Sequence, residues 1–274
     1  MRKKFQSIID YCIPLTAIAV LLLFWQFMHM AGVLPEYMLP SPVQVFTAFV
    51  EDFPLLMQHV WVTLWEAFAG LAIGIGLGFV MAFLMEYCHV IYRALYPILV
   101  ITQAIPTVAI APLLVLWLGY GTAPKITLVV IVTFFPIAVG LLDGFKEADP
   151  DAICLMQAMG ASRLQIFWHI KLPGGLSHLF AGVRISVSYA IVGAVISEWL
   201  GGFQGLGVYM TRVKKSYAYD KMFAVIFLIT ALSLLLMKVV DLIQRLVMPW
   251  NCQEPVRKRM EVQTSARREA DRKE

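Results

Sequence analysis

Long uninterrupted apolar blocks constrain this chain more than any other feature. They run from Tyr11 to Met30, Val60 to Met85, Ala94 to Leu118, Pro124 to Leu142, Leu179 to Leu200 and Met222 to Leu246. A helix needs about 20 apolar residues to cross the hydrocarbon core of a bilayer. In lipid the backbone must satisfy its own polar groups, which leaves only helices and closed barrels. Barrel strands alternate apolar and polar residues over short segments, and these blocks do not alternate. The sequence therefore predicts an all-α, polytopic membrane protein with about six transmembrane helices. Composition agrees: of 274 residues, 60% are hydrophobic and only 15% charged, against roughly a quarter charged in soluble domains.

Charge sets an orientation, because loops on the cytoplasmic side collect Lys and Arg. With the N-terminus inside, inner segments hold Arg2, Lys3, Lys4, Arg93, Lys146, Arg163, Lys171, Arg245 and the basic residues of the tail. Outer segments hold Lys125, Arg212, Lys214, Lys215 and Lys221, the cluster around Lys214 being a local exception. Both termini are expected in the cytoplasm. The exit of the first block, His29-Met30-Ala31-Gly32, carries no A-x-A cleavage site, so this block reads as a retained span. Residues 1–250 form one transmembrane domain, and 251–274 read as a charged cytoplasmic tail without apolar periodicity.

Several chemistries are excluded. Cys12, Cys88, Cys154 and Cys252 lack metal-ligand spacing, and the five histidines are dispersed, so no metal site is expected. A net charge of +4 is small for a nucleic-acid binder, and the basic residues flank apolar blocks. No catalytic nucleophile–base pair is evident. No G-x-x-x-x-G-K-[ST] phosphate loop occurs, so this chain binds no ATP of its own.

Within the spans, Gly70, Gly74, Gly78 and Ala82 recur every fourth residue, a row that lets a second helix approach closely. Pro97, Pro106 and Pro112 break the third span, and such breaks survive in membranes where protein or a watery path satisfies the freed carbonyls. Gln103, Pro106 and Trp117 on that span, with Glu198 near the end of the fifth, are the candidates for lining a translocation path. Glu66, Arg184, Glu198 and Lys238 are the ionisable residues of the spans, each either functional or simply paired or snorkelling. Val43 to Val50 suits a short interfacial helix.

The longest polar stretch among the spans, residues 143–177, faces the cytoplasm in this orientation. It predicts two short helices. The first starts at Pro150 behind Asp149 and ends at Met159, with Gly160 at a positive φ; the second is capped by Ser162 and ends before Pro173. A helix–Gly–helix elbow with apolar faces is a docking surface.

Gly160, nine residues, then Ile170 and Leu172-Pro173 resembles the cytoplasmic loop of binding-protein-dependent ABC transporter permeases, although that family's Glu-Ala-Ala positions fall here on Cys154, Leu155 and Met156. Leu39-Pro40-Ser41-Pro42, Ile105-Pro106 through Leu116-Trp117-Leu118-Gly119, and Glu198 with Gly205-Leu206-Gly207 resemble the nitrate/sulfonate/taurine type. Thr63 to Ala67 and Ser197 to Gly202 look closest to permeases for thiamin-precursor pyrimidines of the formylaminopyrimidine kind.

The resemblance implies a type I ABC importer permease fold in a bacterial cell membrane. It implies separate ATP-binding cassette ATPase subunits that use the ATP, an extracytoplasmic solute-binding protein, and a second permease copy, most simply as a homodimer. It implies an ATPase-coupling role for Ala158, Gly160, Ala161, Ser162, Arg163, Ile170, Leu172 and Pro173. The solute is expected to be small and polar, a pyrimidine of that kind or else a sulfonate, taurine or nitrate-type anion. The reading from another class is a secondary transporter or channel driven by ions at the intramembrane charges. Six spans without an internal repeat do not suit the common plans of such transporters.

Overall fold

A computed structural model describes residues 2–249 apart from 33, 34, 36 and 37, so the expected tail at 251–274 lies outside the described residues. The described residues form helices joined by turns, without a strand. The six apolar blocks fall on α1 (Arg2–Met30), α3 (Phe53–Tyr87), the pair α4 (His89–Gln103) and α5 (Thr107–Leu118), α6 (Ala123–Lys146), α9 (Leu172–Gly201) and α11 (Tyr219–Val247). Between them lie the short helices α2 (Pro42–Glu51), α7 (Pro150–Ala158), α8 (Arg163–Ile166) and α10 (Leu206–Lys215). Four helices are each long and apolar enough to cross a membrane: α3, α6, α9 together with the residues from Arg163, and α11. Counted together as one span, the α4–α5 pair, bent by 101°, makes a fifth.

The centre is α6, held between α3 and α9. Lipid is as apolar as leucine, so helices associate in it by close packing rather than by the hydrophobic effect. The glycine row of α3 provides that closeness. A Cβ at Gly74 would fall 2.2 Å from Thr133 Oγ1, and one at Gly70 2.5 Å from Val129 Cβ. On its other face α6 meets α9 equally closely: a Cβ at Gly182 would fall 2.7 Å from the Pro136 carbonyl oxygen. Leu128, Val129, Ile137, Leu141 and Ile191 are fully enclosed as a result.

The third span breaks only at its middle proline. Pro97 and Pro112 stay inside α4 and α5, while Pro106 caps α5 in an extended conformation. The residue before a proline is driven out of the helical region, so Ile105-Pro106 ends one helix and starts the next. Gly119 and Gly121, at φ 76° and 150°, then turn the chain into α6.

One expectation is corrected. The second loop helix does not end before Pro173. Arg163 to Gly201 runs as one helical rod, with a π-helical segment at Phe167–Lys171. Proline supplies no N–H to an upstream carbonyl. The wider π turn, in which the Leu172 N–H reaches the Phe167 carbonyl, re-phases the backbone just before it and carries the helix through.

Candidate functional site

Three places concentrate polar or exposed groups: a cleft at the α4–α5 break, a buried cluster near the Gly201–Gly207 loop, and the loop between α6 and α9. The cleft encloses about 420 Å³ between the break, α6 and α9. Gln103 and Thr107, on either side of the break, line it, as do Phe135 of α6 and Tyr189 of α9. The Thr102 hydroxyl is turned back onto the Leu99 carbonyl at 2.8 Å. Of the expected path residues, Gln103 reaches the cleft, Pro106 forms the bend beside it, and Trp117 stands exposed at the far end of α5.

Glu198 is elsewhere. It is 1% exposed and belongs to the buried cluster. Its carboxylate accepts from the Thr63 hydroxyl at 2.7 Å and the Gly207 N–H at 2.6 Å. The Leu206 N–H donates to the Thr63 hydroxyl at 2.9 Å, and the Gly205 N–H to His59 Nδ1 at 3.0 Å, which leaves the imidazole proton on Nε2. Three backbone N–H groups at the start of α10, orphaned as at every helix N-terminus, are thus satisfied by α3 and α9 side chains. Two glycines make this possible. Gly205 has φ 125°, and a Cβ there would lie 2.2 Å from Glu198 Cδ; one at Gly207 would lie 2.3 Å from the Val195 carbonyl oxygen.

The same cluster takes in Lys125, whose ammonium sits 2.7 Å from Glu66 Oε1 and 3.5 Å from the Gln204 carbonyl. Glu66 is fully enclosed and Lys125 nearly so, at 0% and 5% side-chain exposure. Glu66 is therefore paired, as one of its two sequence readings allowed. Its partner, along with Thr63 and His59, was not among the sequence candidates. Lys125 could have been suspected, since it opens an otherwise apolar block. Arg184 pairs with Asp241 at 2.6 Å and Gln244 at 2.9 Å, and Lys238 is exposed.

Beside this cluster, Asp52 joins α2 and α3 to α10 and α11. It accepts from the Tyr209 hydroxyl and pairs with Lys221 at 2.8 Å. Burial pushes the Asp52 carboxyl up, but the Lys221 and Tyr209 donors outweigh it and hold the group below the usual carboxylate range. Burial and the Asp52 carboxylate push the Tyr209 phenol up.

The 143–177 loop is built as an elbow. Asp149 caps α7 through the Asp151 N–H at 2.9 Å. Gly160 turns at φ 82°, the expected positive value. Its N–H reaches the Gln157 carbonyl and that of Ala161 the Met156 carbonyl, a Schellman closure. Ser162 and Gln165 then form a reciprocal capping box on α8.

Ala158, Gly160, Ala161, Ser162 and Arg163 come together at this tip. Ile170, Leu172 and Pro173 do not join them but lie half-buried at the root of α9. Phe167 anchors the elbow against Phe83 and Phe145, with ring centroids at 4.9 and 5.1 Å, and Lys171 pairs with Glu86. No α7 residue is buried, and Leu155, Met159, Leu164 and Trp168 stand 47–75% exposed. Of these four apolar side chains only Leu155 fell on a position of the loop motif; their excess over an ordinary polar turn is the signal that marks the others.

Residues 74–251 match the family model described as "Binding-protein-dependent transport system inner membrane component". A probable ABC transporter permease protein of Haemophilus influenzae is 39% identical over 83% of this chain and 93% of its own length. The formylaminopyrimidine transport permease protein ThiX of Halalkalibacterium halodurans is 33% identical over 91% of this chain and 98% of its own. Permeases named for riboflavin, taurine, aliphatic sulfonates and nitrate are also similar, at 30%, 29%, 27% and 24% identity. In the inward-facing MetNI methionine ABC transporter, one chain shares the fold, with a TM-score of 0.64 at 23% identity, covering 72% of this chain and 98% of that one.

Proposed function

The chain belongs to the family of binding-protein-dependent transport system inner membrane components, and from that premise we propose that its importer carries a thiamin-precursor pyrimidine of the formylaminopyrimidine kind. Within the family it is of the nitrate/sulfonate/taurine type. It is a multi-pass membrane protein and a transport subunit rather than an enzyme. ATP is hydrolysed by a separate ATPase, and a binding protein delivers the solute.

The observation that carries the substrate reading is the near full-length likeness to a permease named for formylaminopyrimidine. A relative named for riboflavin, another flat heteroaromatic compound, supports the same class. The second reading, transport of sulfonate, taurine or nitrate by the same machinery, rests on the relatives named for those anions.

Two copies of the chain enclose one pathway in this proposal, with the cleft at Gln103 opening onto it. The 143–177 elbow is the contact for the ATPase, through Ala158 to Arg163 and the exposed Leu155, Met159, Leu164 and Trp168. ATP binding favours one arrangement of the two ATPases, and the elbow passes that preference on. Each ligand shifts the pathway only by its differential affinity for the two states.

The decisive measurement is uptake in cells lacking this chain, with labelled formylaminopyrimidine, taurine and an aliphatic sulfonate. Selective loss of pyrimidine uptake, restored by the intact chain, is the expected result. Selective loss of sulfonate or taurine uptake would overturn the pyrimidine assignment in favour of the second reading. Reporter tags at the N-terminus and after Glu274 should both report cytoplasm, and a tag between residues 43 and 54 should report the outside.

A further inference from the structure

We infer that the cleft at the α4–α5 break is itself a solute-recognition site, and that it selects uncharged, planar, hydrogen-bonding solutes against anions. The inference rests on the importer reading above and narrows its substrate class.

The size is right: about 420 Å³ falls within the roughly 300–1,000 Å³ usual for small-molecule sites. The lining is specific in what it holds. Aliphatic side chains such as Ile110, Ile131 and Ile185 supply most of the wall, and Phe135 and Tyr189 supply two aromatic rings. The polar groups not already engaged are the Gln103 amide, the Thr107 hydroxyl and the Tyr189 hydroxyl, none of which bonds another described side chain or backbone group. Together they present both donors and acceptors, the complement of a heteroaromatic ring with amino and ring-nitrogen groups. Such a ring also gains from contact with the two aromatic faces.

The charge balance argues equally strongly. No Lys, Arg or His lies among the described residues that line the cleft. A sulfonate entering it would lose hydration with no cation to replace that hydration. Helix ends do not compensate. The negative end of α4 at Gln103 and the positive end of α5 at Thr107 meet across three residues, so their opposite partial charges offset each other.

The test uses the full chain bound to its ATPase in lipid nanodiscs, without a binding protein. Formylaminopyrimidine serves as the neutral probe and ethanesulfonate as the anion. The pyrimidine should bind saturably and the sulfonate at least about tenfold more weakly, as expected when a buried charge is left unpaired. Thr107→Val, which keeps the shape, and Gln103→Leu should each weaken pyrimidine binding about fivefold, the usual effect of one lost hydrogen bond. Gln103→Lys should reverse the preference.

Sulfonate binding as tight as pyrimidine binding, no saturable binding of either, or variants that bind like the parent would each overturn the inference. A complex that imports the pyrimidine in cells yet shows none of this binding overturns the cleft assignment alone. One that binds with this pattern but drives no ATP-dependent pyrimidine uptake keeps the cleft and overturns the importer's substrate.

Discussion

Lys125→Met removes the ammonium that pairs with the buried carboxylate of Glu66, and the size of the effect follows from the burial. The pair is separated by 2.7 Å with side-chain exposures of 5% and 0%, and Glu66 Oε2 has no hydrogen-bond partner among the described residues. Removing one member of a buried pair leaves an uncompensated charge and costs about 3–5 kcal/mol. For a chain of this size, each kcal/mol moves the midpoint by roughly 2–4 °C, so the loss should be roughly 6–20 °C.

The assay is thermal unfolding of the full chain in one fixed detergent and lipid mixture. The control is Glu66→Leu with Lys125→Leu. Replacing both charges by apolar groups is often close to neutral, so the double variant should recover most of the loss. A double variant as unstable as Lys125→Met would refute the reasoning, because the cost would then come from packing at α6 and not from a stranded charge.

Three further outcomes are expected. Gly205→Ala puts a Cβ 2.2 Å from Glu198 Cδ at φ 125°, and should cost about 2–5 kcal/mol from overpacking and backbone strain together; adding Glu198→Ala should relieve the overpacking share in the same melt. Gly160→Val forces a β-branched residue to φ 82° at the exposed elbow, and should reduce ATPase recruitment and uptake together while membrane insertion is unchanged. Asp52 is held below its ordinary value of 3.8, so its stabilisation is fully present above that value and is lost as pH falls through the lower folded value; Asp52→Asn should flatten this acid limb of the melting curve, and an identical pH profile would count against the Asp52–Lys221 link.

What could be read from the sequence depended on whether the signal was local. Apolar blocks, the four-residue row from Gly70 to Ala82 and the break at Pro106 each declare themselves within one helix turn or one span. Gly160 did so as well, because a cap needs only its immediate neighbours. The Glu66–Lys125 pair did not, since 59 residues separate its members and their meeting depends on the register that Gly70 and Gly74 give α3 against α6. Glu198 was visible as an intramembrane acid, but its partners were not, for the same reason: Thr63 lies on a helix 135 residues away, and the Gly207 N–H comes from the start of α10. The rod through Pro173 was hidden because proline ordinarily signals a helix boundary, and the π turn that accommodates it leaves no composition signature.

That rod has a mechanical consequence. Arg163 to Gly201 is one continuous helix. At one end it carries the elbow, anchored by Phe167 and the Lys171–Glu86 pair. At the other it carries Glu198, fixed to Thr63 and to the start of α10. Between them, Ile185, Tyr189, Val192 and Ile196 recur every three or four residues along it and wall one side of the cleft. If the ATPase engages the elbow as proposed above, a displacement there is expected to shift the Tyr189 face against Gln103 and Thr107, which sit on the separate, broken span. The α4–α5 break places Gln103 and Thr107 on two short helices, so this wall of the cleft is built apart from the α9 wall.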